Sequence, residues 1–96
     1  MTTCTNNRRQ LLNNPVVHAR WIEFGKEGPD HGAWVGAYVL MLDHLHAFVA
    51  IDDRETDLSA WVKSLKNTVS KVLRVNRVPS PHWQKGFFDH VLRSEE

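Results

Sequence analysis

Two histidines, His44 and His46, stand one residue apart in the apolar segment "MLDHLHAFVAID". If this segment is a β-strand, both imidazoles project from the same face, with Cα atoms roughly 6.6 Å apart. Neutral imidazole is a common ligand of divalent transition metals, and two histidines leave coordination positions open for water or a phosphate oxygen. Two surface or half-buried histidines without a metal would give the same spacing. The pair alone therefore leaves a metal site and a structural role both open.

The composition is typical of a small globular protein. Its 96 residues are 42% hydrophobic and 24% charged, which favours one domain over residues 1–96 with a single core. The longest apolar stretch, residues 33–42, is much shorter than the roughly 20 residues of a membrane helix, and the polar N-terminus does not resemble a signal peptide. Cys4 is the only cysteine, so an internal disulfide is excluded. We expect a cytoplasmic protein that does not bind a membrane.

Positive charge is concentrated in one segment, although the net charge is only +1. Residues 58–85 contain no acidic residue and six basic ones, namely Lys63, Lys66, Lys71, Arg74, Arg77 and Lys85. A basic segment in a near-neutral chain indicates a surface that faces a polyanion. A solvated helix face would have the same composition, so both interpretations remain open at this point.

Two amphipathic helices are predicted. Asn14 can cap the first, Pro15 fits its first turn, and the helix is expected to end near Phe24, before Gly25. Its apolar stripe consists of Val17, Trp21 and Phe24. The second helix begins near Leu58, and its basic residues lie opposite an apolar stripe of Leu58, Trp61, Val62, Leu65, Val69, Val72 and Leu73. Two prolines in "VPSPH" end it.

The remaining segments predict a sheet. Residues 33–42 and 44–51 are rich in β-branched and aromatic residues and are expected to form a tight antiparallel pair around Asp43. Residues 82–92 predict a last strand, and the polar arm before the first helix has room for one edge strand. In the second strand, one face would carry His44, His46, Phe48 and Ala50. This order predicts an α+β fold with two helices packed on an antiparallel sheet, close to the ferredoxin-like plan.

Three blocks in order, "YVLMLDHLHAFVAI", "LSAWVKSLKNTVSKVL" and "PHWQKGFFDHVLRSEE", resemble the HuH single-strand transposases of the insertion-sequence-two-hundred type and their REP-associated tyrosine transposase branch. The resemblance implies DNA transposition by a ferredoxin-like transposase fold, with single-stranded or hairpin DNA as the partner. It implies that His44 and His46 hold magnesium or manganese against the scissile phosphate. It also favours phosphate contacts from the basic residues Lys63, Lys66, Lys71, Arg74, Arg77 and Lys85.

In the family that these blocks resemble, a tyrosine on a helix after the "FDHVLR" block forms a covalent phosphotyrosine link to DNA. The sequence ends at Glu96, where that helix would begin, so we expect a chain that is incomplete at both ends and whose cleavage is impaired because the nucleophile is missing. Leu42 also stands where the family usually has proline. Tyr38, the only tyrosine, is expected to pack against the sheet. Whether this chain is itself an enzyme therefore stays open.

Other side chains have less specific expectations. Trp61 should lie in the core, and core packing is expected for at least two of the aromatic residues Trp83, Phe87 and Phe88, which could otherwise stack on unpaired bases. Asp43 could orient a histidine, although a role in the turn is favoured. Surface positions are expected for His18, His31 and His82, and a sheet-face position for His90.

Two other functions fit the same sequence. One is a nucleic-acid-binding domain without catalysis, in which His44 and His46 are structural. The other is a protein-interaction module that uses an exposed sheet edge, with a homodimer as one expected assembly.

Overall fold

In the structure, a computed structural model that describes residues 1–87, three antiparallel strands form a sheet and two helices pack on one of its faces. Strand β1 spans Thr2–Cys4, helix α1 Pro15–Glu27, β2 Ala33–Leu40, β3 His44–Ile51 and helix α2 Leu58–Val75. The strand order is β1-β3-β2, so β3 is central. The predicted α+β class is confirmed. None of the helices described has the length and apolar character of a membrane-spanning segment.

Helix α1 begins as predicted and ends later. The Asn14 side chain accepts a hydrogen bond from Val16 N at 2.8 Å, and Pro15 occupies the first turn, where its missing N–H costs nothing. The predicted end near Phe24 was wrong, because the helix continues through Gly25 to Glu27. A Cβ at Gly25 would lie 3.8 Å from the Val35 side chain, so this residue lies where α1 packs against β2.

The apolar stripes of both helices form the core, as predicted. Asp57 caps α2 by accepting a hydrogen bond from Ala60 N at 2.7 Å. The buried apolar residues of the two helices are Val17, Trp21, Phe24, Trp61, Val62, Leu65, Val69 and Leu73. They pack with Leu45 and Ala47 of β3, and the rings of Phe24 and Trp61 have centroids 5.3 Å apart. Trp61 is therefore a core residue.

Strand β2 is interrupted by a bulge that changes the direction of its side chains. Its pairing with β3 shifts register between Val35 and Tyr38. Trp34, before the bulge, pairs with Ala50 on the outer face, whereas Tyr38, after it, pairs with Ala47 on the helix side. The strand ends at Leu40, two residues before the predicted end, because residues 41–43 form the turn into β3.

The predicted last strand is present only as one bridge within residues 82–87. Thr5 and Trp83 form an isolated antiparallel bridge, and Gln84 N donates to Cys4 O at 2.9 Å. This segment therefore pairs with the free edge of β1. Trp83 and Phe87 are half-buried and pack against the core, as expected for two of the three aromatic residues. Positions 88–92, with Phe88 and His90, lie outside the described residues.

The expectation of a surface position was wrong for His82. It lies in the segment that follows α2 but is only 4% exposed. His82 Nε2 donates to Val78 O at 2.9 Å, so Nδ1 accepts from the Ser70 hydroxyl at 2.9 Å. The histidine thus joins the chain after α2 to the helix itself. His18 and His31 are exposed, as expected.

Candidate metal and nucleic-acid site

One face of the sheet is covered by α1 and α2, and the other carries the paired histidines. On β3, Leu45 and Ala47 are buried on the helix side, whereas His44 and His46 are half-buried on the other side, as predicted. We call this outer surface the histidine face, and by strand register it contains Thr2, Cys4, Trp34, Val39, His44, His46, Phe48 and Ala50. Both imidazoles therefore project from one extended segment in the same direction.

His44 is held in one orientation by a carboxylate. His44 Nδ1 donates to Asp43 Oδ1 at 3.0 Å, and Arg8 Nε donates to Asp43 Oδ2 at 2.9 Å. The hydrogen bond from Arg8, followed by that from His44, lowers the pKa of Asp43 to about 2. An ionised carboxylate can only accept, so the proton of neutral His44 is on Nδ1 and the lone pair is on Nε2.

Asp43 also shapes the turn, which is the role favoured from sequence. Its carbonyl oxygen accepts a hydrogen bond from Thr5 N at 2.9 Å. The same residue therefore connects the turn to the end of β1 and orients the histidine that follows it.

His46 is held by a hydroxyl of the neighbouring strand. Thr2 pairs with His46 across β1 and β3, and Thr2 Oγ1 lies 2.5 Å from His46 Nδ1. When Nδ1 donates to this hydroxyl, the lone pair of His46 is on Nε2, as in His44. The hydrogen bonds found for both rings in residues 1–87 are made by Nδ1. Both Nε2 atoms are thus available to an external ligand within that part of the chain.

The donor set matches an open metal site. Metal-binding histidines usually donate their second ring N–H to a carboxylate or another oxygen, which fixes the tautomer and the ring orientation. Asp43 and Thr2 supply those oxygens here. Residues 1–87 contain no group of three or more His, Cys, Asp or Glu side chains that could hold a metal. An ion at this pair would need further ligands, such as water or phosphate oxygens.

Tyr38 lies away from the histidines, as expected for a packing residue. It points to the helix side of the sheet, where its ring meets Trp21 with centroids 5.4 Å apart. Its hydroxyl is 2.7 Å from His18 Nε2 in a hydrogen bond between β2 and α1. The sheet separates this hydroxyl from the imidazole pair.

The predicted DNA-binding residues of α2 do not form one surface with the histidines. Helix α2 packs on the opposite side of the sheet, and its exposed basic residues are Lys63, Lys71 and Arg74, followed by Arg77. Lys85 is exposed near the edge of β1. The exposed side of α2 and the paired histidines therefore lie on opposite sides of the sheet. DNA contact by these residues stays a prediction.

Lys66 differs from the other lysines of α2. Its Nζ donates to Gln84 O at 3.0 Å and to Gly86 O at 2.6 Å. Burial lowers the pKa of this ammonium group below its usual value. Lys66 therefore holds the segment after α2 in place, and its predicted contact with DNA would have to compete with these two bonds.

Sequence reasoning missed Thr2 and Arg8. Thr2 is 44 residues from His46, and Arg8 is 35 residues from Asp43. Neither contact has a local sequence signal, because both depend on the register of β1 with β3. Arg8 supplies a positive charge beside the histidine pair, through its bond to the carboxylate that holds His44.

Comparison with known proteins gives a family and a fold. The family model described as "Transposase IS200 like" matches residues 1–92. Among solved structures, the chain is similar to a REP-associated tyrosine transposase bound to a REP hairpin, with a TM-score of 0.73 and 21% identity. The match covers 97% of this chain and 54% of that one, so the chain spans about half the length of this relative. A search of curated proteins gives no significant match.

Proposed function

Because the chain belongs to the family of IS200-like transposases, we propose that it binds single-stranded or hairpin DNA and positions a phosphate at His44 and His46 for metal-dependent strand transfer. The observation that carries the proposal is the arrangement of the two imidazoles. Both lie on the open face of the sheet, both are fixed through Nδ1, and both direct Nε2 away from their anchors. Metal-binding histidines are usually oriented in this way, through a hydrogen bond at the second ring nitrogen.

The protein side chains of this site orient the ligands. We propose that His44 and His46 hold magnesium or manganese, which when bound would polarise a phosphoryl oxygen as a Lewis acid. Asp43 keeps the Nδ1–H tautomer of His44, and the hydrogen bond with the Thr2 hydroxyl holds the ring of His46 in its orientation. Arg8 keeps Asp43 ionised and adds a positive charge near the position of the phosphate. The extended backbone of β3 sets the spacing of the two rings.

A covalent tyrosine step is not part of the proposal for these 96 residues. Tyr38 is the only tyrosine, and its hydroxyl bonds to His18 on the helix side of the sheet. A phosphate at the histidine pair would lie on the other face. We therefore propose that this chain binds DNA and metal but does not form a phosphotyrosine link by itself.

The exposed basic residues would hold another part of the DNA. Lys63, Lys71, Arg74 and Arg77 are exposed on the side opposite the histidines, and Lys85 lies near the β1 edge. Phosphate contacts of this kind are independent of sequence and weaken steeply as salt rises. We propose that they supply affinity, whereas the histidine pair selects the position of one phosphate.

The test is the binding of a labelled DNA hairpin with an unpaired extension, with and without manganese. We expect manganese to strengthen binding, and His44→Ala and His46→Ala to abolish this gain while leaving the metal-independent binding intact. His31→Ala, at an exposed histidine outside the pair, is the matched control. Equal affinity with and without manganese for the unmodified chain would instead support a DNA-binding domain with structural histidines. A covalent protein–DNA adduct would contradict the proposal about the tyrosine.

A further inference from the structure

Two large aromatic side chains are exposed on the histidine face. Trp34 is 47% exposed and Phe48 is 49% exposed, and neither belongs to the core cluster or packs against it. Exposing these rings to water costs free energy, because each aromatic side chain has a large apolar area. The opposite face of the sheet has no such cost, since α1 and α2 cover it.

Phe48 continues the line of the two histidines. It follows His46 on the same face of β3, and the two rings meet edge to face with centroids 5.9 Å apart. A group bound between the Nε2 atoms would therefore have an aromatic ring one step further along the strand. This position is continuous with the proposed phosphate position.

Trp34 lies near Phe48, on the neighbouring strand β2. It pairs with Ala50, so it is diagonal to Phe48, with Cα atoms roughly 7–8 Å apart. The residues beside the two rings are small. Ala50 lies opposite Trp34, and Gly36 lies against Phe48. A Cβ added at Gly36 would be 3.7 Å from the Phe48 Cβ. The aromatic pairs found in residues 1–87 do not include Trp34 with Phe48.

We propose that Phe48 and Trp34 form a stacking platform for an unpaired DNA base next to the phosphate at His44 and His46. This inference rests on the proposed function. Base–aromatic stacking is the usual way in which proteins hold single strands, and it tolerates every base because each has a π-face. A nucleotide combines a flat ring with a phosphate, and this surface combines exposed rings with an imidazole pair. A protein partner would have to cover the polar groups of His44, His46 and Thr2 as well.

The test compares the affinity of a labelled oligothymidine and of a duplex of the same length in the presence of manganese, by fluorescence anisotropy. We expect Phe48→Ala and Trp34→Ala each to weaken oligothymidine binding by about tenfold, within the range for loss of one stacked base, and to leave duplex binding unchanged. Phe48→Leu should show the same loss, because it keeps an apolar side chain but removes the ring. Ile22→Ala, at a 40% exposed apolar residue of α1, is the matched control and should bind like the original chain.

Tryptophan fluorescence gives a second, independent readout. Trp21 and Trp61 are buried and Trp83 is half-buried, so Trp34 is the exposed indole of the four. We expect oligothymidine to quench the emission of the original chain and to have much less effect on Trp34→Phe, which should still bind DNA because it keeps a ring. Equal quenching in both proteins would contradict stacking at Trp34.

Different experimental outcomes would overturn the stacking platform and the proposed function. If Phe48→Leu and Trp34→Ala bind oligothymidine like the original chain while His44→Ala loses the manganese effect, the platform is wrong and the proposed function stands. If the original chain binds neither hairpin nor oligothymidine, both are wrong. A concentration-dependent dimer that Phe48→Leu abolishes without any change in DNA affinity would show that a second copy covers this face, and would also overturn the platform.

Discussion

The two faces of the sheet are built from the same three strands but from different side chains. On the helix side, Leu45 and Ala47 pack in an apolar core with the stripes of α1 and α2. On the other side, the histidine face presents imidazoles that are hydrogen-bonded to Thr2 and Asp43, together with exposed aromatic rings. Burial stabilises the first face, whereas the second has side chains that are oriented without being covered. Stability and the proposed chemistry are thus divided between the two sides of β3.

The largest loss of stability is expected from a substitution in the core. Leu65→Ala removes a fully buried side chain and should lower the free energy of unfolding by about 3 kcal/mol, because it loses apolar burial and leaves a cavity. Phe48→Leu, on the histidine face, should change it by less than about 0.5 kcal/mol. Urea denaturation of both variants measures the difference. Equal losses of unfolding free energy would mean that Phe48 belongs to the core, and would contradict a division of roles between the two faces.

Replacing a histidine should lower the unfolding free energy more at the buried His82 than on the histidine face. His82→Ala leaves the Ser70 hydroxyl and the Val78 carbonyl without their buried partner, so we expect a loss of about 2 kcal/mol in unfolding free energy. His44→Ala should cost clearly less, because the side chain is half-buried and its partner Asp43 keeps Arg8. Thermal and urea unfolding of the two variants test this order. A larger loss for His44→Ala would indicate that the imidazole pair is mainly structural.

The anchors of the imidazoles should matter for metal affinity rather than for stability. Thr2→Val keeps the shape of the residue and removes the hydroxyl that bonds to His46. We expect manganese affinity to fall about tenfold, as is usual when a group that orients a ligand is lost. Thr2→Ser, which restores a hydroxyl, is the control and should recover most of the affinity in isothermal titration calorimetry. Unchanged affinity in Thr2→Val would show that β1 does not orient His46 for a metal.

The smallest effect concerns acid stability at the turn before β3. Asp43 has a folded pKa of about 2, below its ordinary value of 3.8, so it contributes stability above pH 3.8 that is lost as the pH falls towards 2. Arg8→Ala removes the main cause of the shift, and the loss of stability between pH 4 and pH 2 should become shallower. Lys26→Ala, a surface cation of α1 away from Asp43, is the control. The same acid profile in Arg8→Ala and the original chain would contradict the Arg8–Asp43 pair.

Local sequence patterns predicted the elements better than the contacts between them. The stripes of α1 and α2, the cap at Asn14 and the alternation along 44–51 each depend on neighbouring residues, and the structure confirms them. The bulge after Val35 could not be predicted from alternation, because an inserted residue reverses the phase of the strand. The burial of His82 could not be predicted either, because it depends on hydrogen bonds to Ser70 in α2 and to Val78 in the segment that follows the helix.

The candidate site shows the same division. His44 and His46 were predicted from their spacing, which is local, and the shared face was confirmed. Thr2 and Arg8 were missed because they reach the site through the pairing of β1 with β3, across more than thirty residues of sequence. The position of α2 relative to the histidines had no sequence signal, because an apolar stripe shows which side of a helix is buried but not which side of the sheet the helix covers.

The central claim is that His44 and His46 bind one divalent ion through Nε2. Nuclear magnetic resonance of ¹⁵N-labelled histidine side chains during a manganese titration tests it most directly, because a paramagnetic ion broadens the signals of nearby nuclei. We expect the ring signals of His44 and His46 to broaden first and together, with those of His18 and His31 much less affected. Uniform broadening of all exposed histidines, or no selective broadening of the pair, would contradict it.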